Sequence, residues 1–224
     1  MGSNHFDIYC ERTGSEFWSE PVNALTNFAF ILSSLILAFY LIKKKSNKGD
    51  IVNWIFIFLI FLIGLGSWSF HTLANSISLL LDVIPIGIFI ILYTWFTFQR
   101  LVYINSFFPY VAVSGILVLS FLLSFIPLYG SQSYLGALVF LFLVGIYCKI
   151  YRNSKFSSSL IFASFILFIS IIFRTIDMHI CEIFFIGSHF IWHILNSILL
   201  LLMFILNDKP YGDVSNHFIK ISLS

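Results

Sequence analysis

This sequence predicts an all-α integral membrane protein, a seven-transmembrane helix bundle, and three observations predict it. Of its 224 residues, 59% are hydrophobic and only 10% are charged. Seven long apolar runs divide the chain. Lysine and arginine crowd into alternate connections between those runs. A soluble domain of this size would leave much of that apolar surface, 28 Phe included, in water. Lipid is the solvent that suits it.

A helix needs roughly 20 mostly apolar residues to cross a bilayer. The first run, 22–42, ends at Lys43, Lys44 and Lys45. The second, 51–70, ends at His71, and the third, 77–99, carries Asp82 near its start. Next come 108–126, interrupted by Gly115, and 133–150. The sixth, 158–173, is short, and the serines at 157–159 read as its start. The seventh, 184–206, carries His189 and His193. All are continuous rather than alternating, which argues against a membrane β-barrel. Residues 1–20 are polar and lack the apolar core of a secretory signal. One domain, 1–224, is expected, with an outer segment at 1–21 and a cytoplasmic tail at 207–224.

Direction follows from the cations. Lys43, Lys44, Lys45 and Lys48 lie between runs one and two, and Arg100 follows run three. Lys149, Arg152 and Lys155 lie between runs five and six, and Lys209 and Lys220 follow run seven. All fall on one side. The other side holds only Arg12 and Arg174. The expectation is N-terminus outside and C-terminus cytoplasmic. Net charge is +2 and no basic block is present, so the bilayer and its lipids, rather than nucleic acid, are the expected partners.

That topology gathers polar residues. His189 and His193 stand one turn apart at the outer start of run seven. His71 closes run two on the same side, with Ser67 one turn before it on the same face. Asp82 lies just inside run three, also counted from outside. Polar groups at membrane depth mark functional sites by default. Three neutral imidazoles can hold zinc and leave a fourth position for water. A lone histidine pair would be weak, and a buried serine more often bonds its own backbone. Five such residues at one depth favour an intramembrane zinc hydrolase, with Asp82 as general base and Ser67 as an oxyanion donor. The rivals are a receptor or regulator that keeps the metal without turnover, and a transporter or haem protein.

The remaining polar residues have plainer readings. Trp68 and Trp192 read as interfacial anchors. Asp177 reads as the local ion-pair partner of Arg174. Glu11, Arg12, Glu16 and Glu20 form either a solvated stretch or a clamp over the outer mouth. Asn23 and Asn27 share a face and can bond the site's neighbours. His5, His179 and His217 fall outside the runs and read as solvated, and Cys148 as a packing residue.

Several segments resemble the alkaline ceramidase family, part of a superfamily of seven-helix membrane hydrolases that includes the adiponectin receptors. They are YCERTGSEFWSEPVNALTN at 9–27, GLGSWSFH at 64–71, LDVIP at 81–85, DMHIC at 177–181 and HFIWH at 189–193. The combination of S-x-x-x-H, L-D-x-x-P and H-x-x-x-H is specific, and the likeness runs from residue 7 to about 200. The resemblance implies zinc on His71, His189 and His193, with Ser67 and Asp82 handling the attacking water. It implies cleavage of the ceramide amide to a sphingoid base and a fatty acid. It implies calcium near the N-terminus, where Glu11 and Glu16 match acidic positions and Asp7 stands one residue out of register. It also pairs Cys10 with Cys181, both on the outer side, where an oxidising compartment permits a disulfide. The residues around Pro21 and Asn23 are similar to those of short bacterial members, so a bacterial inner membrane is the expected location.

Overall fold

The computed structural model describes residues 6–44, 51–99, 107–151 and 155–207. Lys45, Lys48, Arg100, Arg152, Lys209 and Lys220 of the charge argument lie outside the described residues. So do His5, His217 and the tail from 208 onward, and of Lys155 only the backbone is described.

The described chain is helical, in the order α1 (Pro21–Thr26), α2 (Phe28–Lys43), α3 (Ile51–Leu73), α4 (Ser76–Thr97), α5 (Phe108–Leu123), α6 (Leu135–Tyr151), α7 (Lys155–Ile176) and α8 (His189–Asn207). Short 3₁₀ turns at Ser131–Tyr134 and Asp177–His179 sit at the ends of α6 and α7. Six segments are long and apolar enough to cross a membrane: Pro21–Lys43, Ile51–Leu73, Ser76–Thr97, Ser131–Tyr151, Ser157–His179 and His189–Leu206. This is a multi-pass membrane protein. The remaining apolar helix, α5, has 16 residues, about 24 Å of rise against roughly 30 Å of hydrocarbon. Its Phe121 is 65% exposed and the nearby Phe125 74%, as lipid-facing surface would be.

The expected runs shift at their ends for local reasons. The first is broken at Asn27, whose N–H bonds the Ala24 carbonyl at 3.3 Å in a tight turn. The fourth stops at Leu123 rather than 126 because Pro127 follows and disfavours helix before it. The sixth extends to Lys155–Ile176, longer than 158–173 at both ends. The seventh starts at His189, not at 184, so the histidine pair opens the helix instead of lying one turn inside it.

Two local features set the geometry of the site. Pro85 lies inside α4 and has no N–H, which frees the carbonyl of Leu81 from its usual helical partner. Gly66 of α3 lies directly against that carbonyl, and a Cβ there would collide with it. The two backbones therefore approach closely where the next residues are Ser67 and Asp82. At the other junction, Asp177 accepts hydrogen bonds from the N–H groups of Ser188 (2.7 Å) and His189 (2.8 Å). It thereby satisfies orphan donors at the start of α8. Gly187 makes this possible with φ +70°, and a side chain there would strike the Asp177 carboxylate.

Candidate metal centre

His71, His189 and His193 are each about 1% exposed. They offer one ligand atom apiece within 4.8 Å of one another. Nε2 of His71 and Nε2 of His193 are 3.1 Å apart. Their other ring nitrogens are engaged elsewhere. His71 Nδ1 lies 2.6 Å from Glu20 Oε2, and His193 Nδ1 lies 2.9 Å from Thr26 Oγ1. The Thr26 hydroxyl donates to the Val22 carbonyl at 2.8 Å. It can therefore only accept from His193.

This network assigns the Nδ1–H tautomer to both rings. Neither Nε2 then carries hydrogen, and two lone pairs face each other. A cation between them removes that conflict. The edge of a tetrahedral zinc site with Zn–N of 2.0–2.1 Å is about 3.3–3.4 Å, close to the spacing seen. His189 Nδ1 is buried without a hydrogen-bond partner. The donor set fits a divalent metal.

Ser67 and Asp82 are buried beside the histidines. Both line a cavity of ≈ 10 Å³ with His189, His193, Tyr134 and Arg174, about the room for one water. The structure thus brings together all five residues proposed from sequence. An apolar cavity of ≈ 80 Å³ adjoins it, sharing Phe30, Ile63, Tyr134 and Trp192 and running to Leu199 and Met203. A larger cavity of ≈ 530 Å³ meets it at Ile86, Tyr134 and Arg174.

The N-terminal segment is a clamp rather than a solvated stretch. Glu11, Arg12 and Glu20 are buried. Arg12 Nε is ion-paired with Glu20 Oε1, and its Nη2 donates to the His71 carbonyl at 2.8 Å. That carbonyl belongs to the last turn of α3, where acceptors are otherwise orphaned. Burial pushes Glu20 up, but the hydrogen bond from His71 and the Arg12 guanidinium beside it outweigh that and hold the carboxyl below the usual range. Glu11 accepts from the N–H groups of Val22 (2.7 Å) and Asn23 (2.8 Å) at the start of α1. Burial raises its pKa, partly offset by those amides. Asp7 and Glu16 are exposed, so the three acidic residues form no ligand group among the described residues. Cys10 and Cys181 form a disulfide, Cα atoms 5.4 Å apart, and Cys10 N–H donates to Asp177 at 2.9 Å. Tyr9 stacks on His189, ring centres 3.7 Å apart. Asn23 and Asn27 join as expected. Asn23 donates to Glu20 at 3.1 Å, and Asn27 donates to the Asn23 carbonyl at 2.8 Å.

Two expectations are corrected. Trp192 is no interfacial anchor; it is 5% exposed and packs on Tyr134 inside the bundle. Arg174 does not pair with Asp177, whose oxygens are committed to backbone amides. Its guanidinium turns inward among Tyr9, Tyr134 and Trp192. Sequence reasoning missed Glu20, Thr26 and Arg174 as members of the site. Glu20, Asn23 and Asn27 recur at helical spacing just before an apolar run, which is a readable signal. Arg174 is a charge inside an apolar helix, a signal in itself.

A family model described as Ceramidase matches residues 7–209. The chain belongs to the Ceramidase family. Membership implies a hydrolase with a lipid substrate, and the buried three-histidine group is consistent with a metal-dependent ceramidase. No curated protein gives a significant match.

Proposed function

We propose that this chain is an intramembrane amidohydrolase, which cleaves the N-acyl amide of ceramide or a related lipid with zinc held by His71, His189 and His193. The observation that carries this reading is the pair of imidazole lone pairs, His71 and His193, facing each other with their other nitrogens committed. Beside them stands the Ser67–Asp82 pair, which a receptor without turnover would not need.

When bound, zinc supplies Lewis acidity and makes water acidic enough to ionise near neutral pH. Asp82 takes the proton of the attacking water as general base and returns it to the leaving amine. Ser67 donates to the developing oxyanion, a contribution of about 10²–10³ in rate by analogy with other such donors. Glu20 and Thr26 hold the two imidazoles in orientation. The acyl chain lies in the apolar cavity that ends at Leu199 and Met203. Glu20 and Glu11 enter as a clamp on His71 and α1.

In the membrane, α5 completes seven spans with local thinning of the bilayer. The N-terminal segment and the site then share one side, and Lys43, Lys44 and Lys149 lie at the opposite ends of their helices. The positive-inside rule puts the site on the non-cytoplasmic side. Short connections between spans suit a bacterial inner membrane.

Metal analysis of purified protein joined to a lipid panel tests the reading. One zinc per chain and amide cleavage that vanishes in His193→Ala are expected. A zinc-loaded protein inert toward N-acyl amides overturns it, and turnover of lipid esters alone would convert it to an esterase.

A further inference from the structure

Arg174 occupies an unusual position for a guanidinium. It sits in the last turn of α7, inside a membrane-spanning segment. Its central carbon lies 5.4 Å from the Tyr9 ring centre, 5.5 Å from that of Tyr134 and 5.2 Å from that of Trp192. Aromatic faces attract a cation but leave its in-plane N–H donors unmatched. Nε is buried without a hydrogen-bond partner. Arg174 forms no ion pair with a carboxylate among the described residues; the nearest in sequence, Asp177, is spent on three backbone amides. Asp82 lines the same small pocket and is the carboxylate neighbour of Arg174 there, but the buried Nε is left with no acceptor, which is costly in such surroundings.

The cavities show where a partner would come from. Arg174 lines the small pocket beside Ser67 and Asp82, and it also lines the wide cavity of ≈ 530 Å³. That cavity is edged by Asp7, Tyr129, Ser133 and the backbone of Gly130. Gly130 keeps the approach clear, since a methyl there would stand 3.2 Å from Arg174 Nη2. The apolar cavity shares Phe30, Ile63, Ile86, Tyr134 and Trp192 with the small pocket and, unlike the wide cavity, does not include Arg174. A lipid whose amide lies at Ser67 and Asp82 thus has its acyl chain in one cavity and its head in the other, within reach of the guanidinium.

We propose that Arg174 is the core of an anion-binding subsite, which selects N-acyl lipids carrying a phosphate, sulfonate or carboxylate on the amine side over those with a neutral head. The proposal rests on the function above and narrows its substrate class. Planar, forked donors suit such oxyanions better than they suit a lone hydroxyl.

The test measures binding rather than turnover, so it stands apart from the amidase reading. Two ketone analogues are used, with a methylene in place of the amide nitrogen, so that nothing can be cleaved. One has a free head hydroxyl and the other a head phosphate; palmitate and inorganic phosphate serve as competitors. Purified full-length protein should bind the phosphate analogue at least tenfold more tightly than the neutral one. Arg174→Gln should abolish that preference and leave the neutral affinity within about threefold. Because Arg174→Gln could fail to fold, Ser133→Asp provides a second arm: it adds a carboxylate to the exposed wall of the same cavity and should also cut the preference. Equal binding of the two analogues by the unaltered protein overturns the proposal. So does palmitate binding with the same Arg174 dependence, which would make this a site for the released acid. Displacement of the phosphate analogue by inorganic phosphate at matching concentration would mark a site for a soluble anion and would equally overturn it. If the preference holds while no amide is cleaved, the subsite stands and the amidase reading fails.

Discussion

At one end of the bundle His71, His193, Glu20 and Arg12 are buried and, with the half-buried Thr26, joined by hydrogen bonds of 2.6–2.9 Å and one ion pair. At the other end, Phe56 of α3 packs against Phe89, Tyr93 and Phe96 of α4, ring centres 5.2–6.1 Å apart. The same two-helix interface, α3 against α4, runs through both. Near Phe56 the partners are interchangeable in kind, because aromatic contacts are broad and a core tolerates volume-conserving change. Near Ser67 the backbones themselves meet at Gly66 and Leu81, and a half-satisfied polar network costs more than none. One end holds the helices together; the other holds atoms at fixed separations.

That contrast can be broken by substitution, and the largest effect belongs to the ligands. His193→Ala should abolish zinc retention and lower amide cleavage by about 10³-fold or more, read by metal analysis and turnover together. Asp82→Asn should keep the metal while lowering kcat by about 10²–10⁴-fold. Loss of zinc in that variant would move Asp82 from general base to ligand support. Glu20→Gln is expected to weaken metal affinity by about 10–100-fold, as removal of a carboxylate behind a ligand histidine does elsewhere. Competition with a chelator measures this, and unchanged affinity would reduce Glu20 to an Arg12 partner. Phe56→Leu, at the far end, should leave metal stoichiometry intact and kcat within about twofold, and lower only thermal stability, by about 1 kcal/mol. A kcat loss there as large as that in Glu20→Gln would erase the distinction between the two ends.

Disulfide removal sharpens a different edge of the same comparison. The bridge spans 171 residues of sequence, but a loop-entropy estimate does not transfer, since helices already inserted in lipid leave little loop to close. Cys10 N–H remains bonded to Asp177 without it.

Much of the fold was legible because apolar length is a one-dimensional property. Five of the six long helices lie within a few residues of the expected runs, as a bilayer demands one length from all of them. Where expectations slipped, a local polar choice decided. The start of α8 at His189 follows from Asp177 reaching across 12 residues to cap it, and no hydropathy window sees a cap. The cluster of three histidines with Asp82 and Ser67 was legible because ionisable groups are rare in lipid and Ser67 shares a helix face with His71. Glu20 was not: beside Arg12 and Glu16 it looks like ordinary solvated charge, and only its 2% exposure shows otherwise.

The order of residues by itself determined the membrane class, the helix lengths and the set of histidines, serine and aspartate that could share one face. Those follow from hydrophobicity and the 3.6-residue turn, both readable along a line. Tertiary structure alone decided that the lone pairs of His71 and His193 face across 3.1 Å, that Glu20 and Thr26 stand behind them, and that Arg174 turns toward the site instead of toward Asp177. Such facts depend on which side chains meet when helices far apart in sequence pack, and no local pattern encodes a meeting.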